Sequence, residues 1–282
     1  MIDYRILGPL EVSADGRVID IGGPRQRALL AILLLRANEP VPREVLVHEL
    51  WGERPPAGAR SSLEVYVSRL RKALGAAGNG RVVVTRPGGY CLQLADGQLD
   101  VYRFERLAAE GRSALAGNEP ERADASLRAA LRLWRGTVLG DLSCEPFAQV
   151  ETARLEELRL GATEDRIEAD LALGRHADLV SELEALVATY PLRERLHGQL
   201  MIALYRCGRQ AEALRPGPRP QQRHHHGNEQ DHRPGTAPHP AFAHCQPPPQ
   251  RHRRSRNETP HGGPPGGRPR QLYLYAEGLT KS

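Results

Sequence analysis

Apolar positions change their rhythm twice along the chain. Residues 3–7, 10–13 and 17–21 alternate or run in short apolar blocks separated by Gly8-Pro9 and Ala14-Asp15-Gly16, which predicts a small antiparallel sheet with tight turns. Pro24 opens a helix in a first-turn position where its missing amide costs nothing, and Leu29, Leu30, Ile32, Leu33 and Leu34 give that helix a broad apolar face. Asn38 and Pro40 end it. A shorter helix is predicted over residues 43–51, before Gly52 and Pro55-Pro56. Over residues 57–74 the apolar positions Leu63, Val67, Leu70 and Leu74 are spaced four, three and four, so they fall within an arc of about 60° on a helix. Residues 81–85 and 90–94 then read as strands joined through Arg86-Pro87-Gly88-Gly89, a hairpin with a cation at its tip. Helix, helix, long helix and hairpin is the order of a winged helix.

Opposite the apolar stripe of the long helix stand Ser61, Ser62, Val65, Ser68, Arg69 and Lys72, with no carboxylate at the centre of the face. Hydroxyls and cations meet phosphates and base edges, and a valine methyl can meet a thymine methyl, so this face suits a DNA groove. A solvated surface helix would carry a similar set; the hairpin that follows is what favours DNA. Tyr66, beside this face, is kept as a candidate contact, whereas Trp51 and Trp134 read as packing residues at helix ends.

From Asp100 onward strand signals vanish. Phe104, Leu107, Ala108 and Leu115, then Ala123, Leu127, Ala130, Leu131 and Trp134, mark two helices divided by Gly117-Asn118-Glu119-Pro120. Further helices fit residues 146–173, 177–189, 192–207 and 210–214, with Gly174, Tyr190-Pro191 and Gly208 as punctuation. Helical hairpins in series, with small residues at regular places, look like tetratricopeptide repeats, which bind partners. The expected fold is therefore an α+β winged helix (residues 1–97) followed by an all-α tetratricopeptide-like domain (98–214) and a disordered tail (215–282).

Charge changes the picture only when it is divided. The formal total is +5, but residues 1–100 hold 13 Lys/Arg against 11 Asp/Glu, residues 101–214 hold 15 against 19, and residues 215–282 hold 11 against 4. The tail makes the chain basic, so DNA binding has to rest on local patterning. The four cysteines, Cys91, Cys144, Cys207 and Cys245, have no metal-ligand spacing and read as reduced thiols. No apolar run reaches the ~20 residues of a bilayer span, no export signal is visible, and a soluble cytoplasmic protein is expected. The chain has no GxxxxGK, HExxH or GxSxG motif, and His48, His176 and His197 sit within helical stretches where surface or core roles are commoner than catalysis. Neither an enzyme nor a cofactor is expected.

The segments SSLEVYVSRLRKAL (61–74) and VTRPGGY (84–90) resemble the recognition helix and wing of OmpR-type DNA-binding domains. That resemblance implies that Ser62, Tyr66, Arg69 and Lys72 face the major groove or its phosphates and that Arg86 reaches the minor groove or backbone. Many helices of that type carry basic residues where this one has Ser61 and Ser68. With YPLRERLHGQLMIALYRCGRQAEAL (190–214), residues 1–214 resemble the Streptomyces antibiotic regulatory protein family, which joins such a winged helix to a bacterial transcriptional activation domain. The resemblance implies an activator of secondary-metabolite genes that binds direct repeats in double-stranded promoter DNA as a homodimer and recruits RNA polymerase holoenzyme. The lack of a phosphate-binding loop fits the short form of the family. With no receiver ahead of Met1, control is expected through expression level, oligomerisation or a ligand. A protein–protein adaptor using the helical repeats is the alternative.

In that family the helix begun at Gln210 continues, but Pro216, Pro218 and Pro220 forbid continuation here. Residues 215–282 hold 13 prolines and 8 of the 11 histidines, and few aliphatic residues, so they cannot bury a core. The tail reads as a basic arm, as a metal site built on His224-His225-His226, or as translation in a shifted frame; the third accounts for both the abrupt loss of periodicity and the composition. Resequencing the gene is expected to reveal a frame that carries the helical pattern past Leu214. An uninterrupted frame, with the same tail in homologous strains, excludes the shift.

Overall fold

The computed structural model describes residues 2–76 and 82–214; the tail and its histidines lie outside them. Strands β1 (Ile2–Arg5), β2 (Glu11–Ala14) and β3 (Arg17–Val18) form an antiparallel meander, with Tyr4 opposite Val12 and a two-residue Asp15-Gly16 turn between Ala14 and Arg17. Helix α1 (Pro24–Leu35) follows. The apolar pattern predicts one broad face, yet all six residues Leu29, Leu30, Ala31, Ile32, Leu33 and Leu34 are buried. The reason is packing on several sides: α1 lies against α2 (Arg43–Trp51), α3 (Ala59–Gly75) and, further along the chain, the helix Pro146–Ala172. A helix that is apolar all round belongs inside.

The second sheet has the order β4-β6-β5, formed by β4 (Val41–Pro42), β5 (Val83–Arg86) and β6 (Gly89–Leu92). The two-residue β4 has no pattern of its own; it is captured by β6, with Val41 opposite Tyr90. Asn38, in the left-handed region at φ 69°, stops α1. Its amide donates to the Leu92 carbonyl (2.8 Å) and its side-chain oxygen accepts from the Leu94 amide (2.9 Å). Gly89 admits the closest strand approach: a Cβ there would lie 2.0 Å from the Val41 carbonyl oxygen. This is the winged-helix arrangement anticipated from the sequence.

The remainder is helical: α4 (Asp100–Ala116), α5 (Pro120–Leu131), a 3-10 turn at Gly140–Leu142, α6 (Pro146–Ala172), α7 (His176–Thr189), α8 (Glu194–Arg206) and the short α9 (Gln210–Ala213). Packing does not stop where the winged helix ends. One apolar core runs from Ile2 through Leu34, Leu70 and Phe104 to Ala148 and Ala169. A second core takes Leu160, Ile167 and Leu171 of α6 with Leu179 and Leu183 of α7 and Leu196 and Leu204 of α8. Helix α6, 27 residues long, therefore serves both. Among the described residues of this part, Met201, Ile202, Tyr205 and Leu214 are apolar yet 48, 45, 63 and 78% exposed.

The junction rests on Asp100, 1% exposed at the start of α4. Its carboxylate accepts hydrogen bonds from the amides of Ile6 and Leu7, all at 2.9 Å. The carbonyls of the same two residues accept from the amides of Leu139 (2.9 Å) and Arg135 (2.7 Å). Burial pushes the Asp100 carboxyl above the usual carboxylate range, against the pull of these amides and of Arg135 and Arg103.

A second polar joint links α5, α6 and α7. Asp170, its side chain 2% exposed, accepts from Arg128 (2.8 Å), Arg166 (3.0 Å) and Arg175 (2.7 Å). Asp124 shares Arg128 and Arg175, and Glu182 takes Arg166. Three guanidinium groups thus face three carboxylates. Burial pushes Asp170 up, but hydrogen bonds from Arg175 and Arg166 and the charge of Arg128 outweigh it and hold the group below its ordinary value.

Of the cysteines expected as reduced thiols, Cys91 and Cys207 are free. Cys144 is disulfide-bonded, which corrects the expectation there; the absence of a metal-ligand spacing does not itself exclude a disulfide. Cys245 lies outside the described residues.

Two substitutions test the joints. Asp100→Ala orphans two buried amides at a cost of about 1–3 kcal/mol each, so its urea midpoint is expected well below that of the parent chain; an unchanged midpoint would show that the junction does not hold the fold. A carboxyl whose folded pKa is depressed stabilises above its unfolded value and loses that contribution as pH falls through the folded one. Asp170→Asn is accordingly expected to cost about 3 kcal/mol near neutrality and progressively less as the pH falls below the ordinary carboxylate range and through the depressed folded value, as read by urea unfolding along an acid series.

Candidate nucleic-acid interface

Helix α3 carries its apolar stripe into the core: Leu63, Val67, Leu70 and Leu74 are each no more than 1% exposed. That burial fixes the direction of the other side. Ser61, Val65, Ser68, Arg69 and Lys72 are exposed and Ser62 is half-buried. By helical count Val65 and Lys72 stand at the midline of this face, Ser61, Ser68 and Arg69 within about 50° of it, and Ser62 at about 70°. Glu64 is exposed at about 90° from that midline, so the centre carries hydroxyls, a methyl pair and cations while one flank offers an acceptor. Arg69 and Lys72 have no ion-pair partner among the described residues.

Tyr66 occupies the opposite flank and is only half exposed. Its ring stacks on Trp51, with centroids 6.2 Å apart and planes within 16°. The two aromatics are 15 positions apart in sequence, so the stack that anchors Tyr66 leaves no local signal. Trp134 packs edge-on to Phe104 at 5.4 Å with Arg159 over its ring. His48 is exposed, and His176 and His197 are half-buried.

The wing is the β5–β6 hairpin. Arg86 pairs with Gly89 across Pro87-Gly88, and Gly88 at φ 79° takes the position of a type II turn that needs a positive φ after proline. Arg86 is exposed and has no ion-pair partner among the described residues. The structure thus brings Ser61, Ser62, Val65, Tyr66, Ser68, Arg69 and Lys72 onto one helix and Arg86 onto the hairpin that packs beside it.

Two cations at the base of the wing escaped the sequence reading. Arg71 donates through Nε to the Val83 carbonyl (2.9 Å) and through Nη2 to the Thr85 hydroxyl (2.8 Å). Its guanidinium lies 5.8 Å from the centroid of the buried Tyr90 ring, and that of Arg43 lies 5.4 Å from it. The Arg43 amide also donates to the Gly88 carbonyl (3.0 Å). Periodicity distinguishes the outward Arg69 from the side-facing Arg71, but it does not say which strand will lie beside it.

The described residues contain no cluster of histidine, cysteine and acidic side chains able to hold a metal ion, and no helix among them is long and apolar enough to cross a membrane.

Comparison with known proteins agrees with this architecture. Residues 19–92 match the family described as transcriptional regulatory protein, C terminal, and residues 99–216 match the bacterial transcriptional activator domain. The regulatory protein AfsR of Streptomyces coelicolor is 46% identical over 212 residues, which are 75% of this chain and 21% of that protein. The regulatory protein DnrI of Streptomyces peucetius is 44% identical over 220 residues, 76% of this chain and 81% of that protein. The structure of Mycobacterium tuberculosis EmbR in complex with a low affinity phosphopeptide superposes with a TM-score of 0.73 at 42% identity, over 75% of this chain and 56% of that one. The chain therefore spans most of DnrI, about half of EmbR and a fifth of AfsR. A winged helix of the OmpR type fused to a bacterial transcriptional activator domain, with relatives of this identity along both parts, makes the chain a member of the Streptomyces antibiotic regulatory protein family of transcriptional regulators.

Proposed function

We propose that this chain is a cytoplasmic transcription activator that reads double-stranded promoter DNA with α3 in the major groove and with Arg86 of the wing on the minor groove or backbone. The observation that carries the reading is the exposed α3 face, where Arg69 and Lys72 stand unpaired around Val65, Ser61 and Ser68. Unpaired cations attract phosphates without first breaking an ion pair, and the small groups between them permit close approach to base edges. In this reading residues 1–97 bind DNA and residues 98–214 recruit RNA polymerase holoenzyme. Two copies occupy direct repeats spaced about one helical turn, near 10 bp. Membership of the Streptomyces antibiotic regulatory protein family supports targets among antibiotic and other secondary-metabolite genes.

An adaptor that binds proteins through its helical repeats is the second reading, favoured by the exposed Met201, Ile202, Tyr205 and Leu214. Salt separates the two, since phosphate contacts weaken steeply as counterions compete and apolar contacts do not. Because the winged helix shares its core with α4 to α6, the measurement uses the full chain, titrated onto a labelled duplex from the region upstream of its own gene and followed by anisotropy. Saturable binding is expected to fall steeply between 50 and 200 mM salt, an order-of-magnitude window for such contacts. Arg69→Gln should flatten the salt slope by about one, and Arg69→Glu should abolish specific binding. Salt-insensitive binding, or an Arg69→Glu chain that binds as the parent does, rejects the DNA reading.

A further inference from the structure

We propose that Arg71 is a positioning residue, a strut between α3 and the wing that sets the separation at which the two engage a duplex; the inference rests on the DNA reading above. By helical count Arg71 lies about 110° from the midline of the outward face of α3, turned toward β5. Its two acceptors, the Val83 carbonyl and the Thr85 hydroxyl, belong to β5 residues two positions apart. A planar guanidinium reaches both at once through Nε and Nη2, which a lysine ammonium cannot do in the same geometry.

The wing needs such a hold. A two-stranded hairpin is marginal by itself, and among the described residues this one has only the two-residue β4 paired beside it. Arg71 fixes β5 from α3, while Arg43, at the start of α2, fixes the turn through the Gly88 carbonyl. Both guanidinium groups lie against Tyr90, which is 4% exposed. Tyr90 thereby ties β6 to the two helices that frame the wing. Arg86 at the tip inherits its position relative to Arg69 and Lys72 from this arrangement. Arg71 thus acts on DNA binding through geometry, whereas Arg69, Lys72 and Arg86 act through charge.

The competing role is a direct phosphate contact, since Arg71 has no carboxylate partner among the described residues. Arg71→Lys, Arg71→Gln and Thr85→Val separate the two. Thr85 is exposed on a strand, where valine is well tolerated, and Thr85→Val changes no charge. Full-length chains are titrated onto the upstream duplex and onto a random-sequence duplex of equal length. A strut predicts that Arg71→Lys and Thr85→Val each weaken specific binding about tenfold, in line with the loss of a charge-assisted hydrogen bond. Their salt slopes and random-duplex affinities should stay as in the parent. Hydrogen exchange without DNA should quicken in wing peptides covering residues 83–92 and not in α1. A phosphate contact predicts instead that Arg71→Lys and Thr85→Val bind normally while Arg71→Gln flattens the salt slope by about 0.9; that result overturns the strut. If Arg71→Lys fails to fold, Thr85→Val decides. If the parent chain binds neither duplex saturably, the DNA reading falls, and the exchange rates of the wing alone decide whether Arg71 braces it.

Discussion

The carboxylate of Asp100 is the point on which the two halves of the molecule meet. It is buried at the start of α4 and occupied by the amides of Ile6 and Leu7, whose carbonyls are taken by the segment that follows α5. A connection between two strands would normally leave these groups to water; here every one is satisfied by the helical half. The energetic stake is asymmetric. An intact set contributes modestly, because water would have served in the unfolded chain, but a missing partner leaves buried polar groups with nothing. That asymmetry fixes the N-terminal sheet to α4 and brings α1 against α6. The winged helix is consequently built into a larger core and is not a bead on a linker.

The far side of α6 solves a different problem. Where it meets α5 and α7 it buries charge as well as apolar surface: Asp170 and Arg166 are almost fully enclosed, and Asp165 and Glu164 meet Arg195 and Arg193 of the α8 region. Ion pairs of this kind repay little net energy after desolvation, but they tolerate misalignment poorly because each displaced partner leaves a buried charge exposed to no solvent. Apolar packing between helices would accept small slides; the network around Asp170 does not. It keeps the repeat helices in one alignment with the core that carries α3.

Much of this was legible in the residues. The stripe Leu63, Val67, Leu70, Leu74 is a local property, and a local rule reads it; so too the break at Gly88 and the ends of α7 and α8, where Tyr190-Pro191 and Gly208 interrupt the pattern. What escaped was set by partners distant in sequence. Arg71 and Arg69 differ by two positions and share a chemistry, yet one meets β5 and the other solvent. Val41-Pro42 has no strand signature and becomes one because β6 arrives beside it. The stack of Tyr66 on Trp51, the reach of Asp100 to Ile6 across 94 positions and the burial of α1 on every side from Leu29 to Leu34 belong to the same class: each depends on what the fold delivers to a residue, not on its neighbours along the chain.

The length of α6 bears on what happens when a partner arrives. At 27 residues it is a rod of about 40 Å, embedded at one end beside α1 and at the other beneath α7 and α8. A body seated on the exposed end of the repeats would grip one end of a lever whose other end is set in the core that holds α3. The apolar cores on either side of α6 can accept small slides, whereas the polar joints cannot, so a torque applied there would be carried toward α3 through Asp170 and Asp100, two buried carboxylates.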